Sequence, residues 1–337
     1  MKTTVRRYRQ LLSSFARVRV AVVGDLIADE FIYGQIDRVS REAPVLILSY
    51  DSAELLPGGA GNAARNAASL GATVELIGVV GRDPAGQGLY KALEQTADVT
   101  GVVQSSTVTT PVKTRILAGG VHSAKQQVVR IDRAGSPLPA SAVRRAERAL
   151  VAAVERADVV IVSDYGGGLV TPLLWQRALA AAKRPSPPLV LVDSRYALGS
   201  YTGMTACTPN EAEVEALLGI RIDDNRTLLE SAGRELLARL GCAAVLITRG
   251  SRGMALFEPG KPTDHIPIVG SDQVTDVTGA GDTVIATFAV ALAAGASFAE
   301  AARIANHAGG IVVMKRGTAV ATHRELAASL LGPGEVR

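Results

Sequence analysis

Continuous apolar runs alternate with helix-like segments along most of the chain. Short aliphatic runs predict strands, at residues 18–23, 74–80, 159–162, 189–192 and 245–248. The segments between them predict helices, at residues 62–70, 142–155, 173–182 and 228–240. Strands that are apolar throughout are buried on both faces, and their alternation with helices is typical of parallel sheets. The pattern therefore predicts an α/β body built on a largely parallel sheet.

Two regions depart from this alternation. Residues 31–50 and 111–132 contain strand-like stretches, such as Val112-Lys-Thr-Arg-Ile-Leu117, with no helix between them. We expect them to form a small antiparallel sheet, inserted in the α/β body as a lid. Because no Pro- or Gly-rich linker separates two halves, residues 1–337 are predicted to form one domain with this lid.

Composition excludes several classes of protein. Hydrophobic residues make up 47% and charged residues 20%, which is sufficient for a large core and excludes disorder. The net charge is +4 with Lys and Arg scattered, so we expect no nucleic-acid partner. The apolar segment 284–296 is too short to cross a bilayer, so we expect a buried helix and no membrane partner. Two cysteines without a C-x-x-C motif predict a cytoplasmic protein with reduced thiols.

A glycine cluster precedes the first predicted internal helix. Gly59-Ala60-Gly61-Asn62-Ala63-Ala64 fits the G-x-G-x-x-A fingerprint of dinucleotide-binding folds. That fingerprint requires a strand directly before it, whereas residues 52–57 look like a poor strand that ends in proline. A closely packed helix start and a sugar-binding turn are the alternatives.

A second glycine cluster, Asp276-Val-Thr-Gly-Ala-Gly-Asp282-Thr, opens an alanine-rich helix. Three consecutive backbone N–H groups at Gly279, Ala280 and Gly281 would form a pocket for a phosphoryl group. Asp282 lies in the first turn, where the helix dipole keeps it ionised and able to take a proton from a hydroxyl. The alternative is that Asp282 only caps the helix.

Two further motifs lie between these clusters. Asn210 and Glu213 are one helical turn apart and offer oxygen ligands to hydrated Mg²⁺, or they form a capping box. The stretch 248–253, Thr-Arg-Gly-Ser-Arg-Gly, ends an apolar strand and suits a phosphate tail, or it forms an ordinary hairpin turn.

Taken in order along the chain, these motifs resemble the signatures of the PfkB (ribokinase-like) carbohydrate kinase family. The resemblance covers residues 18–331 and is most specific at residues 276–283. It implies a ribokinase-like, doubly wound α/β fold in which helices flank a mostly parallel sheet. It also implies a small antiparallel lid over the sugar and transfer of the ATP γ-phosphate to a sugar hydroxyl.

The resemblance further implies a role for each matched residue. Asp282 is the expected catalytic base, with Gly279, Ala280 and Gly281 as the anion hole. The residues expected to bind the sugar are Asp25, Asp29, Gly58, Gly59 and Asn62. The residues expected to bind ATP are Asn210, Thr248, Gly250, Gly253 and Asn306. Mg²⁺ is expected through water at Asn210 and Glu213, and a monovalent cation such as K⁺ at Asp276 and Thr278.

Within the family, the stretches 24–29, 33–45, 126–132 and 163–165 look closest to kinases of D-glycero-D-manno-heptose 7-phosphate. The reaction expected from this is phosphorylation of the anomeric hydroxyl to give the 1,7-bisphosphate. An acceptor that already carries a phosphate needs a second anion site. We expect it at Lys113, Arg115 and Arg130 on the lid strands, since arginine forks bind phosphate in a bidentate manner.

Two stretches depart from that subfamily. Gly166-Gly167-Gly168 stands where a lysine usually follows Ser-Asp-Tyr, and Asp193-Ser-Arg-Tyr196 stands where Asp-Pro-Lys-Gly is common. The acceptor therefore stays open to ribose, fructose, a fructose phosphate or a nucleoside. A nicotinamide-dependent oxidoreductase and a non-catalytic sugar-nucleotide sensor are the alternatives outside this class.

The exposed edge of an inserted sheet also predicts a homodimer.

Overall fold

The computed structural model describes residues 2–119, 125–183, 186–270 and 275–332. Its strands are β1 (Arg19–Gly24), β2 (Leu26–Val39), β3 (Leu46–Gly59), β4 (Thr73–Gly81), β5 (Asp98–Ser105), β6 (Val112–Gly119), β7 (Gln126–Arg133), β8 (Val159–Asp164), β9 (Leu189–Ser194), β10 (Ala206–Cys207), β11 (Ala244–Thr248), β12 (Met254–Phe257) and β13 (Asp264–Ile266). Its helices are α1 (Lys2–Ser14), α2 (Ala60–Ser69), α3 (Pro84–Leu93), α4 (Ala140–Arg156), α5 (Pro172–Ala181), α6 (Glu211–Leu218), α7 (Arg226–Leu240), α8 (Ala280–Ala293), α9 (Phe298–Val312) and α10 (His323–Leu331).

The large sheet has the strand order β13-β12-β11-β10-β9-β8-β1-β4-β5. Neighbouring strands from β10 to β5 in this order are parallel, and so are β10 and β11, whereas β11, β12 and β13 pair antiparallel. The predicted strands correspond to β1, β4, β8, β9 and β11, and the predicted helices correspond to α2, α4, α5 and α7. The prediction of a mostly parallel sheet flanked by helices is confirmed.

Burial on both faces explains why the strands are apolar throughout. In β1, Val20 and Val22 pack in one core with α2, α8 and α9, whereas Ala21 and Val23 pack in a second core with α4 and α5. The apolar segment predicted to be a buried helix belongs mostly to α8, which is buried along most of its length. None of the helices in the described ranges is both long enough and apolar enough to span a bilayer.

The small sheet, β3-β2-β6-β7, contains both segments predicted to form a lid. Its outer pairs, β2–β3 and β6–β7, are antiparallel as expected, but β2 and β6 pair in parallel and join the two hairpins. The sheet is also longer than predicted, because β2 begins at Leu26 and β3 ends at Gly59. Residues 120–124 of the predicted lid segment lie outside the described residues.

The interpretation of residues 52–57 as a poor strand is wrong, because they form part of β3. Pro57 is tolerated there because β3 is an edge strand of the small sheet, where one side of the backbone needs no partner. The glycine cluster therefore does follow a strand. That strand is an antiparallel strand of the small sheet, however, and not the parallel strand that the dinucleotide fingerprint requires.

Candidate active site

The carboxyl ends of three adjacent parallel strands open into one cavity. Asp25 follows β1, Tyr165 follows β8 and Arg195 follows β9, and all three line a cavity of about 580 Å³. Lys113 and Arg130 of the small sheet line it as well. Ligands of open α/β sheets bind at this edge of the sheet. We call this space the acceptor cavity.

Asp282 lies in the first turn of α8, its side chain is buried, and it is bonded to a residue of this cavity, Tyr165. The Tyr165 hydroxyl donates to its Oδ1 at 2.8 Å, and the Asn62 amide donates to its Oδ2 at 2.9 Å. Burial raises the pKa of Asp282 to about 6, although both hydrogen bonds oppose the rise. A carboxylate with this pKa is ionised at neutral pH and basic enough to accept a proton from a hydroxyl.

The turn before α8 has the geometry that its glycines predict. Gly279 adopts a left-handed backbone conformation with φ of 76°, and a Cβ atom there would lie 2.3 Å from the Asn62 amide nitrogen. A Cβ atom on Gly281 would meet nothing within 4 Å, so space is open above the helix N-terminus. The Ala280 N–H is already occupied, because it donates to the Val277 carbonyl at 3.2 Å. Of the three predicted N–H groups, that of Ala280 is therefore not free to bind an anion.

The residues expected to bind the sugar pack closely beside Asp282. Asp25 accepts hydrogen bonds from the N–H groups of Tyr165 and Gly167, both at 2.8 Å. A Cβ atom on Gly58 would lie 2.2 Å from Asp29 Oδ2, and one on Gly59 would lie 2.6 Å from the Asp25 carbonyl oxygen. Glycine is therefore required at both positions by the close approach of this backbone to the two aspartates.

The predicted anion site on the small sheet is only partly available. Arg115 is buried and forms an ion pair with Asp29 at 2.5 Å, where it lies over the Phe31 ring. Burial raises the pKa of Asp29 and Arg115 lowers it, which indicates that this arginine supplies the counter-charge of a buried carboxylate. The structure thus gives Arg115 a different partner from the expected phosphate.

Three cations are better placed in the acceptor cavity. Lys113 is half-buried and its ammonium lies 5.2 Å from the centre of the Tyr165 ring, while burial lowers its pKa. Arg130 is exposed and donates to both carboxylate oxygens of Asp132. Arg195 completes the set on the wall formed by the large sheet. The cavity is therefore suited to an anionic acceptor.

A second cavity, of about 180 Å³, opens on the other side of the α8 N-terminus. Its lining includes the predicted nucleotide residues Thr248, Gly250, Gly253 and Asn306, together with Val277, Ala280, Gly281, Gly309, Gly310 and Val313. The stretch 248–253 forms the hairpin turn between β11 and β12, and its position at this cavity leaves the phosphate-binding interpretation as a prediction. Apolar walls and glycine backbone suit a flat aromatic base. We call this space the nucleotide slot.

Asn210 and Glu213 form the capping box that was the structural alternative. The Asn210 side chain accepts from the Glu213 N–H, and Glu213 accepts from the Asn210 N–H, both at 2.9 Å. The turn lies beside the nucleotide slot, because the Thr248 N–H donates to the Pro209 carbonyl at 3.0 Å. Asn210 and Glu213 therefore cap α6 and also lie beside the nucleotide slot, so capping does not exclude a role in nucleotide binding.

The carboxylates of Asp193, Glu213 and Asp282 influence one another through their charges. Burial raises the pKa of Asp193 well above its ordinary value, and the charges of Glu213 and Asp282 raise it further. A divalent cation would relieve this repulsion, and oxygen ligands of this kind fit Mg²⁺ that keeps part of its water shell. Within the described ranges, however, no three histidine, cysteine or carboxylate side chains are grouped as a metal site by themselves. Phosphate oxygens of ATP would have to supply the remaining ligands.

The expected monovalent-cation residues are tied into their own loop. The Asp276 carboxylate accepts from the Thr278 N–H at 2.9 Å and from the Gly317 N–H at 3.0 Å. Each carboxylate oxygen keeps a further lone pair, so the Asp276 side chain and the backbone carbonyls of this loop both remain available to a cation. The oxygen donors of this loop are thus compatible with K⁺.

Sequence reasoning missed several residues that line the two cavities, and also Asp193 near them. Tyr165, Asp193 and Arg195 stand in the sequence patterns only as parts of longer stretches, and Gly309 and Gly310 belong to none of the motifs. A signal was present for the first three, because each is a polar residue at or just after the carboxyl end of a predicted parallel strand.

Comparison with known proteins identifies the family of the chain. Residues 19–324 match the model of the pfkB family carbohydrate kinases. The chain is 42% identical over 332 residues to the bifunctional protein HldE of Caulobacter vibrioides, covering 96% of this chain and 66% of that protein. It therefore spans slightly less than two thirds of the length of this relative.

Two solved structures show the same ribokinase-like fold. Phosphofructokinase-2 from Escherichia coli in complex with potassium superposes with a TM-score of 0.74 at 19% identity, over 93% of this chain and 99% of that one. Ribokinase from Arabidopsis thaliana complexed with ribose and ATP superposes with a TM-score of 0.70 at 22% identity, over 93% and 98%. On the family match and the close relative, the chain belongs to the pfkB family of carbohydrate kinases, phosphotransferases that act on a sugar hydroxyl.

Proposed function

We propose that this protein transfers the γ-phosphate of ATP to the anomeric hydroxyl of D-glycero-D-manno-heptose 7-phosphate and yields the 1,7-bisphosphate. The observation that carries the proposal is the position of Asp282. It is a buried carboxylate with a pKa of about 6 in the first turn of α8; its partner Tyr165 lines the acceptor cavity, and the preceding Ala280 and Gly281 line the nucleotide slot. Phosphoryl transfer requires a base on the acceptor side and positive potential around the transferred group.

In this mechanism, the acceptor lies in the acceptor cavity with its reacting hydroxyl against Asp282. Asp282 takes the hydroxyl proton as the oxygen attacks the γ-phosphorus, and the bond from that phosphorus to the β–γ bridging oxygen breaks to release ADP. The N-terminal backbone of α8 stabilises the charge on the transferred group, and the open space above Gly281 admits it. Closure of the small sheet, the lid of a single kinase domain, would exclude water from the site.

The cations of the acceptor cavity support a phosphorylated sugar. Lys113, Arg130 and Arg195 line one cavity with the exposed ring of Tyr196 at its wall. A neutral sugar does not need three cations, whereas a sugar phosphate places a dianion away from the reacting hydroxyl. The relative HldE and the subfamily stretches support a heptose phosphate among such acceptors.

The expected co-substrate and ions follow from the same site. The apolar walls and glycine backbone of the nucleotide slot support binding of the adenine base of ATP, and one solved structure with the same fold is a ribokinase complexed with ribose and ATP. Mg²⁺ would be held at Glu213 with Asn210 and Asp193 nearby, where it neutralises the phosphates. K⁺ would lie near the loop at Asp276 and Thr278, as a structure of phosphofructokinase-2 contains potassium.

We also propose a homodimer formed through the small sheet. Strand β7 is an edge strand and is exposed along its whole length. The sheet carries a group of exposed apolar side chains, namely Val39, Val45, Leu46, Tyr50, Val129 and Ile131. An edge and an apolar face of this kind commonly bind a second copy of the same chain. Light scattering after Ile131→Arg should report a monomer where the unmodified chain reports a dimer.

A cytoplasmic location is consistent with this function. Cys207 and Cys242 are buried free thiols, which are typical of a reducing compartment that also supplies ATP.

The deciding experiment is a coupled assay of ADP release over a panel of acceptors. The panel contains D-glycero-D-manno-heptose 7-phosphate, the heptose without phosphate, ribose, fructose, fructose 6-phosphate and a nucleoside. We expect the highest kcat/KM with the heptose phosphate. A higher kcat/KM with another acceptor would identify another pfkB-type kinase. Absence of ADP release with every acceptor, together with binding of a sugar nucleotide or of NADH, would support the sensor or the oxidoreductase instead.

A further inference from the structure

The turn that follows β8 is held against the body of the protein by a carboxylate. Asp25 Oδ2 accepts from the N–H groups of Tyr165 and Gly167, each at 2.8 Å. A Cβ atom on Gly167 would lie 2.6 Å from Asp25 Oδ1, so a side chain at this position would break the contact. Gly166 and Gly168 on either side have positive φ values of 79° and 86°. The glycine run thus lets the turn close over Asp25.

This turn directs one side chain to the base. The Tyr165 hydroxyl donates to Asp282 Oδ1 at 2.8 Å, while the other oxygen of Asp282 is bonded to Asn62. The same ring lines the acceptor cavity and lies beneath the Lys113 ammonium. Burial and the charges of Asp282 and Asp193 raise the pKa of Tyr165 well above its ordinary value, so the phenol keeps its proton and acts as a donor.

We propose that Tyr165 is a positioning residue that holds the carboxylate of Asp282 in the orientation in which it takes the acceptor proton. Two donors on the two oxygens prevent the carboxylate from rotating and leave the remaining lone pairs to face the acceptor hydroxyl. The role rests on the proposed function, since it assigns Tyr165 to the same transfer step. The glycines at 166–168 serve this role because they let the turn close over Asp25, and the closed turn brings Tyr165 to Asp282.

The effect on pH dependence has a definite sign. A donor to an ionised carboxylate favours the charged form, so removal of the hydroxyl raises the pKa of Asp282. The other groups that face Asp282 are Asn62 on α2, Asp29 and Lys113 on the small sheet, and Asp193 at the end of β9. None of these groups is changed when Tyr165 becomes phenylalanine. Activity requires ionised Asp282, so the acid limb of the pH profile moves to higher pH.

The test compares two matched tyrosines. Tyr165→Phe removes the hydroxyl bonded to Asp282. Tyr201→Phe removes a buried hydroxyl bonded to a different carboxylate, Asp164 Oδ2, at 2.9 Å. We expect the acid limb of kcat/KM, near pH 6 in the unmodified protein, to rise by about one pH unit in Tyr165→Phe and to stay in place in Tyr201→Phe. An unmoved limb in Tyr165→Phe, or the same shift in both variants, would overturn the proposal.

A second variant keeps the ring and its packing. Fluorotyrosine at position 165 has a more acidic phenol and donates a stronger hydrogen bond, so we expect the acid limb to move below that of the unmodified protein. Opposite shifts from these two variants are not expected from a purely structural role. No shift with fluorotyrosine would contradict the proposal.

A titration that needs no turnover separates this inference from the proposed function. Carbon NMR of the Asp282 carboxyl in the free protein should give a pKa near 6, raised by about one unit in Tyr165→Phe. If no acceptor is phosphorylated but this shift is present, the proposed function fails and the contact between Tyr165 and Asp282 stands. If turnover is present and the titration is unchanged, Tyr165 is not the positioning residue.

Discussion

The two cavities beside the α8 N-terminus differ in the chemistry of their walls. The acceptor cavity, of about 580 Å³, is lined by carboxylates and cations from the ends of parallel strands and from the small sheet. The nucleotide slot, of about 180 Å³, is lined mainly by aliphatic side chains and glycine backbone. Under the proposed function, charge would select the acceptor, whereas shape and backbone would select the nucleotide.

Asp282 belongs to neither cavity alone. Ala280 and Gly281 line the nucleotide slot, and the next residue, Asp282, is bonded to Tyr165 of the acceptor cavity. One turn of helix thus connects residues of the nucleotide slot with a partner of the acceptor cavity. Variants of this turn should affect both substrates, and variants of either cavity should affect only one.

The largest effect is expected for Asp282→Asn. Loss of the base should lower kcat by about 10²- to 10⁴-fold while both substrates still bind. Calorimetric titration with each substrate checks the second part. The matched control, Asp158→Asn, changes a carboxylate at the opposite end of the sheet and should leave kcat unchanged.

The same variant should also make the protein more stable. The pKa of Asp282 is about 6 in the folded chain, above its ordinary 3.8, so the folded state binds the proton more tightly than the unfolded state. Stability is therefore lost as the pH rises through this range, and Asn at 282 removes that loss at neutral pH. We expect urea unfolding at pH 7.5 to show that the free energy of unfolding increases by about 1–3 kcal/mol. Loss of a hydrogen bond of the carboxylate limits this gain. An equal gain at pH 4 would contradict this explanation.

A smaller effect is expected at the glycines of the turn. Gly279→Ala places a Cβ atom against Asn62 at a positive φ, so it should destabilise the fold by about 1–3 kcal/mol and lower kcat/KM by roughly 10²-fold. A Cβ atom on Gly281 would meet no other atom within 4 Å, so Gly281→Ala should fold normally. It should nevertheless raise KM for ATP about tenfold, or by about 1.4 kcal/mol, if phosphates occupy that space. Unchanged ATP kinetics in Gly281→Ala would place the phosphates elsewhere.

Next in size is the loss of a cation from the acceptor cavity. Lys113→Met should raise KM for a sugar phosphate about tenfold or more and leave KM for ATP unchanged. The same variant assayed with an unphosphorylated sugar should show little change. Arg177→Met, on the exposed face of α5, serves as the control. A parallel rise in KM for both sugars would mean that Lys113 contacts the sugar and not its phosphate.

The smallest effect is expected in the nucleotide slot. Val277 lines the nucleotide slot, and 66% of the residue is exposed. Val277→Ala removes apolar surface that a base would cover, so KM for ATP should rise roughly three- to tenfold and the acceptor KM should not change. Leu173→Ala, an exposed leucine on α5, is the control and should change neither value.

The fold could be predicted well where burial determines the pattern. The run at 18–23 becomes β1 at Arg19–Gly24 because both faces of this strand are covered, so every position must be apolar. The small sheet was less predictable. Its β2 and β3 are long, with register shifts near Gly34 and Arg38, and the parallel pairing of β2 with β6 depends on contacts distant in sequence.

The residues of the candidate site also differ in how well the sequence predicts them. Asp282, Gly279 and Asn62 lie in local motifs, and the spacing within each motif is enough to indicate the start of a helix. Tyr165 and Arg195 are single residues after separate strands, and they share a cavity only because β8, β9 and β1 are neighbours in the sheet. Arg115 shows the reverse problem, because its sequence position does not reveal that Asp29 beside it is buried and needs a counter-charge.

Phosphorus NMR of one reaction mixture tests the central claim most directly. The unmodified protein is incubated with Mg²⁺, ATP and D-glycero-D-manno-heptose 7-phosphate, and the phosphorus signals are followed with time. We expect the γ-phosphate signal of ATP to decrease as ADP and a new anomeric phosphate ester appear in equal amounts, with no new ester in Asp282→Asn. ADP formed together with inorganic phosphate and no ester, or an equal yield of ester from Asp282→Asn, would contradict the account.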